Sequence, residues 1–144
     1  MSAALPASPS LGEATTAEQR AFKTTNDLRL KNGLAPLEWD AELCSIARRH
    51  SRNMSVLGFF SHETPEGLRL RDRVRLAGIR YRVIAENIAY NQGFEDPGAF
   101  AVERWTISAG HRANLLSTEF RASAVGSFIA PDGTVFLTQL FILR

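Results

Sequence analysis

Three polar side chains stand out because their neighbours are apolar. His62 closes Phe59-Phe60-Ser61-His62, Glu86 lies in Val83-Ile84-Ala85-Glu86-Asn87-Ile88-Ala89, and His111 follows Ala109-Gly110. A glutamate inside an apolar segment is costly to bury unless it is paired, metal-bound or hydrogen-bonded. Imidazole with carboxylate is also a natural ligand set for zinc where thiolates are missing. Two His and one Glu with an open fourth position would let a bound water lose its proton near neutral pH and act as a nucleophile. Spacing alone leaves this open. The three residues are 24 and 25 positions apart, and no HExxH pair shares a helix face. From the residues alone separate roles are the favoured reading: the histidines as loop hydrogen-bonders, Glu86 as the partner of a buried arginine or of backbone N–H groups. Serine chemistry has Ser61 beside His62 and Ser108 three residues before His111, but no GxSxG elbow. There is no P-loop or dinucleotide fingerprint.

The frame that must position these groups is one domain. The chain has 144 residues, 44% hydrophobic and 22% charged, with net charge +2, a globular profile large enough to bury its own core. One cysteine, Cys44, excludes an intrachain disulfide and a cysteine-based zinc knuckle; it reads as a small core or boundary residue. With three histidines in all, any metal site has to be built from His and carboxylate. Fifteen of the seventeen basic residues are arginine. The run Arg69, Arg71, Arg73, Arg75 alternates around a helix and reads as a solvated surface, with an anionic-polymer patch as the other reading. With so small a net charge and no aromatic residue in the run, no nucleic-acid partner is expected. No stretch approaches about 18 apolar residues, so no transmembrane segment is expected. Residues 1–16 are rich in Ala, Pro and Ser, lack the basic and apolar regions of a signal peptide, and read as a flexible lead-in to a single domain over 17–144.

Capping signals divide that domain. Thr16 is read as opening a first helix packed by Phe22, Leu28 and Leu30 and stopped by Asn32-Gly33. Asp40 caps a second, with Leu43, Ile46, Ala47, Met54 and Leu57 as its apolar stripe, and Gly58 ends it. Thr64-Pro65 is expected to open a third helix running to Ala77. Asp96-Pro97 starts a fourth, with Phe100, Ala101, Val102 and Trp105 inward, which Gly110 is expected to break. Residues 123–130 and 134–142 read as strands joined by Pro131-Asp132-Gly133. Helices followed by a hairpin with long apolar strands indicate an α+β fold, a three-layer α-β-α sandwich around a small antiparallel sheet.

Motifs spread over residues 21–141 together resemble the CAP superfamily (cysteine-rich secretory protein, antigen 5, pathogenesis-related 1), in particular its compact bacterial SCP-like branch. They are Asn26-Asp27-Leu28-Arg29, Asn32-Gly33-Leu34-Ala35-Pro36-Leu37-Glu38-Trp39-Asp40, His50-Ser51, Gly58-Phe59-Phe60-Ser61-His62, Ala85-Glu86-Asn87-Ile88-Ala89, Trp105 to Leu116, Val125-Gly126 and Thr138-Gln139-Leu140-Phe141. The resemblance implies the same sandwich and a central cavity. In many relatives two His and two Glu line that cavity and hold a divalent cation, commonly zinc. His62, Glu86 and His111 map onto three of these positions. The second glutamate's place is taken by Ser108, while Glu103, about 140° around the helix from it, reads as a surface or ion-pair residue. Asn87 and Asn114 are expected to fix the loops around the cavity by bonding backbone. Trp39 and Trp105 are expected in the core, and His50 as a helix-face hydrogen-bonder.

Three function classes follow from the resemblance. The first is an exported module, extracellular, periplasmic or in the cell envelope, its signal peptide removed. Its cavity would take a divalent metal, a small molecule or a lipid. The second is a metal-assisted hydrolase at the same residues, for which no separate general base is identifiable. The third is a non-catalytic scaffold contacting an envelope polymer or a protein partner. The first is favoured.

Overall fold

The computed structural model describes Leu11 and residues 14–144. Most of the N-terminal lead-in lies outside the described residues, but Thr15 and Thr16 belong to the first helix. Thr15, rather than Thr16, is the N-cap of α1 (Thr16–Lys31): its hydroxyl accepts from the Glu18 N–H and the Glu18 carboxylate accepts from the Thr15 N–H, a reciprocal capping box. The remaining elements are β1 (Glu38–Trp39), α2 (Ala41–Leu57), α3 (Leu70–Leu76), β2 (Val83–Asn91), α4 (Pro97–Thr106), α5 (Ala109–Leu116), β3 (Ala122–Ile129) and β4 (Val135–Leu143).

The four strands lie in the order β1-β3-β4-β2. β3, β4 and β2 are antiparallel neighbours; the two-residue β1 runs parallel to β3. β4 is central, and its alternate residues face opposite layers. Val135, Leu137 and Phe141 pack with Ala21 and Phe22 of α1, Ala101, Val102 and Trp105 of α4 and Leu115 of α5. Leu140 and Ile142 pack with Leu43, Cys44, Ile46 and Ala47 of α2 and Val74 of α3. A strand buried on both faces reads as a continuous apolar run, as residues 135–143 do. The result is the expected α-β-α sandwich.

The buried polar residues tie the layers together. Arg29 donates to the carbonyls of Ala35, Leu115 and Ser117, holding the end of α5 to the turn after α1. The Gln139 amide donates to the hydroxyls of Thr25 and Ser123, and Ser51 donates to the Gly126 carbonyl. Gly126 has no side chain because α2 crosses there: a Cβ would run into the backbone at Ala47 and Arg48.

Several local expectations are corrected. Leu30 and Leu57 are exposed, because each lies on the solvent side of the last turn of its helix. Thr64-Pro65 makes a turn rather than a helix start. The Thr64 hydroxyl and carbonyl accept from the N–H groups of Leu68 and Gly67, and Gly67 at φ 93° turns the chain away, so α3 begins at Leu70. Gly110 does not break α4. The helix ends at Thr106, Ser108 caps α5, and Gly110 lies inside α5.

Candidate functional site

β2 is an edge strand, and its adjacent residues Glu86 and Asn87 send their side chains to opposite faces of the sheet. Glu86 turns toward α3 and the 59–63 loop; Asn87 turns toward α5. The two halves of the site therefore come from different layers and meet along this edge.

On the first side, the Glu86 carboxylate is enclosed, its side chain 2% exposed. Arg73 of α3 grips it as a fork, Nη1 donating to Oε2 at 2.8 Å and Nη2 to Oε1 at 2.9 Å. His62 Nδ1 lies 2.8 Å from the same Oε1. Because a carboxylate only accepts, His62 carries its proton on Nδ1 toward Glu86. Nε2 is then the ring atom left to the surroundings. Arg73 Nη2 also donates to the His62 carbonyl at 2.8 Å, which ties the loop to α3. Burial pushes the Glu86 carboxyl up, but the bonds from His62 and Arg73 outweigh it and hold the group below its ordinary value. The arginine run is thus not a uniform solvated surface: Arg73 points inward, because Val74 beside it must be buried and Glu86 gives its charge a partner.

On the second side, Asn87 is fully buried and donates to the His111 carbonyl at 3.1 Å. Asn114 donates to the Asn87 side-chain oxygen at 2.9 Å, so the two amides fix α5 against β2. His111 Nδ1 is 2.9 Å from the Ser108 hydroxyl. Partial burial, with the nearby His62, lowers the His111 pKa and favours the neutral ring. Trp105 is in the core, its indole N–H donating to the Ile88 carbonyl at 2.9 Å on the open edge of β2. Glu103 stays apart, exposed on the α1 side of α4 among Asp27, Lys31 and Thr106.

His62, Ser108 and His111 share a cleft of about 610 Å³ along the β2 edge. Phe60, Ile88, Tyr90, Phe100 and Trp105 give it an apolar wall, and Arg104 adds a cation at the rim; no carboxylate side chain is part of its lining. Phe60 and Tyr90 meet edge to face at 4.9 Å.

The resemblance implies a divalent cation here, and the donor set does not fit one. Both Glu86 oxygens are taken by a guanidinium and an imidazole N–H. Ser108 offers a neutral hydroxyl where a second carboxylate would be needed. Among the described residues, no group of three or more His, Cys, Asp or Glu is arranged to hold a metal ion.

His50 of α2 backs the site. Its Nε2 donates to the Ser61 carbonyl at 2.8 Å, while Nδ1 is buried without a hydrogen-bond partner. Burial lowers the His50 pKa below its ordinary 6.5. A depressed pKa means that the unfolded chain binds the proton more tightly. The contribution to stability is therefore complete above about pH 6.5 and is lost as pH falls below it. Melting curves between pH 7.5 and 5 are expected to show a falling Tm that flattens in His50→Gln.

One residue of the site and one buried charge elsewhere in the fold escaped the sequence reading. Arg73 was hidden in an alternating run whose neighbours are solvated. Glu18 carried a signal, the Thr15-x-x-Glu18 capping-box spacing, but nothing local shows that its carboxylate also reaches Arg48.

This sandwich, with its edge cleft and paired histidines, defines a protein class. The chain belongs to the CAP (cysteine-rich secretory protein) family, whose model matches residues 22–141. It is 39% identical over 130 residues to the uncharacterised membrane protein YlbC of Bacillus subtilis and 34% identical over 125 residues to the uncharacterised protein YkwD of the same organism. It spans only 35% and 46% of their lengths, against 90% and 87% of its own. In three dimensions it is similar to an extracellular SCP-domain protein of Bacillus anthracis (TM-score 0.78, 34% identity, 89% of this chain and 40% of the other). An outer surface protein of Borrelia burgdorferi shares the fold (TM-score 0.78, 21% identity, 88% and 91%). No helix of the described residues is long and apolar enough to cross a membrane.

Proposed function

We propose that this CAP domain is a ligand-binding module that works outside the cytoplasm, in the extracellular space or the cell envelope, and takes a small amphipathic molecule with an anionic or acceptor head. One observation carries the reading: the cleft combines an aromatic wall with His62, Ser108, His111 and Arg104 and no lining carboxylate side chain. An apolar body would rest on Phe60, Tyr90 and Phe100. The head would accept from Arg104 and the Ser108 hydroxyl, with the histidine rings beside it. The volume suits a ligand of modest size. The extracellular setting is supported by the descriptions of the Bacillus anthracis and Borrelia burgdorferi proteins.

Octanoate, with octanol as the headless control, tests the reading by calorimetric titration of the untagged protein. Octanoate is expected to bind and octanol to bind more weakly. A hydrogen bond to a charged group contributes about 1.5–3 kcal/mol, so Arg104→Ala is expected to weaken octanoate binding by about tenfold or more. Equal affinities for octanoate and octanol, or an unchanged constant in Arg104→Ala, would overturn the head assignment. No octanoate binding at all would overturn the ligand reading.

A further inference from the structure

We infer that Arg73 is the resident cation of this site: its guanidinium occupies the carboxylate a divalent metal would need, so the His62, Glu86 and His111 group of this chain works without one. The ground is the arrangement of donors. Zinc with three protein ligands needs three lone pairs converging on one point. Glu86 contributes none that is free to converge. Its Oε1 already accepts from His62 Nδ1 and Arg73 Nη2, its Oε2 accepts from Arg73 Nη1, and protein surrounds the rest of the group. His62 presents its protonated nitrogen to the carboxylate, and the His111 Nδ1 is engaged with Ser108. Two imidazole nitrogens and one neutral hydroxyl remain.

The charge argument points the same way. A dication bound to Glu86 would sit beside a guanidinium that is 10% exposed and screened by little water. Arg73 is not free to swing aside, because Nη2 also holds the His62 carbonyl. Arginine does not deprotonate in proteins, so no accessible pH vacates the position. An arginine fork also matches a carboxylate's geometry, which a divalent ion would have to break to enter. Arg73 therefore settles what the site accepts: its charge is already balanced by Glu86, and the rings of the two histidines are left for the cleft.

The test is zinc binding by the untagged protein, followed by equilibrium dialysis against zinc chloride and by the shift of Tm with zinc concentration. Wild type is expected to hold no more zinc than His62→Ala/His111→Ala, and its Tm is expected not to rise with zinc. Arg73→Met, which keeps length and removes the charge, is expected to bind zinc at least about tenfold more tightly than wild type, and Glu86→Gln added to it is expected to abolish that gain. One equivalent of zinc on wild type, raising its Tm and lost in the double histidine variant, would overturn the inference. So would an Arg73→Met protein that folds and binds no better than wild type. Should Arg73→Met fail to fold, the wild-type dialysis and melting data still decide. Octanoate and zinc are titrated separately, so a cleft that takes neither ligand fails the ligand reading alone.

Discussion

Gly126→Ala is expected to prevent stable folding. The added Cβ would meet the backbone of α2 at Ala47 and Arg48, and a backbone cannot rotate away as the end of a long side chain can. To admit the methyl, α2 would have to move off β3 along its whole length. That movement would open the packing of Leu43, Cys44 and Ala47 against Ala124 and Leu140. It would also break the bond from the Ser51 hydroxyl to the Gly126 carbonyl. Overpacking a tight core commonly costs about 1–3 kcal/mol. Here a whole layer is displaced, so a loss above about 4 kcal/mol is expected, a large part of a typical domain's stability. Circular dichroism of the variant is expected to show a collapsed or absent melting transition. A cooperative melt within a few degrees of wild type would show that α2 is not seated as described.

Glu18→Ala is expected to cost about 3 kcal/mol, at the lower end of the range for breaking a buried ion pair because Arg48 keeps some contact with water. Glu18 is fully buried at the start of α1. It accepts from Arg48 at 2.6 and 2.8 Å, from the Ser127 N–H at 2.8 Å and from its own N-cap at 2.9 Å. One carboxylate thus joins α1, α2 and β3, and its loss leaves donors from all three without their acceptor. Burial pushes the Glu18 carboxyl up, but Arg48, Thr15 and Ser127 outweigh it and leave the group below its ordinary 4.5. The folded pKa is below the unfolded one, so this stabilisation is present above about pH 4.5 and is lost as pH falls through the folded value. Acid unfolding of wild type should therefore be steeper than that of Glu18→Gln. Identical acid limbs and equal denaturant midpoints would show that the carboxylate contributes nothing.

How far the sequence reaches depends on the range of the interaction. Asp40 with Gly58 and Asp96 with Pro97 bound their helices correctly, because caps act within one turn. Pro131-Asp132-Gly133 placed the hairpin for the same reason. Thr64 misled because a threonine before proline suits a turn as well as a helix start, and only Leu68 donating back to it decides between them. Leu30 and Leu57 misled because apolar character does not say which side of a helix end is covered. In the site, Glu86 announces itself as a buried charge, and an arginine partner was among the readings of it. Which arginine was not legible: Arg73 is chosen by how α3 docks, thirteen residues away in sequence and across a turn. The apposition of His62 and His111 likewise needs β2 at the sheet edge, a matter of strand order that no single segment encodes.

That edge position carries a demand on folding fidelity. Glu86 and Asn87 are consecutive, and each suits only its own side of the sheet: the carboxylate beside Arg73, the amide between His111 and Asn114. A strand that zips onto β4 one residue out of step exchanges them. Such an isomer would strand an arginine and a glutamate in separate layers, and would turn Ile84 and Ile88 to the face that Val83, Ala85 and Ala89 now cover. The two polar residues therefore add a proofreading pair to the apolar pattern, each penalising an alignment that turns it to the wrong layer.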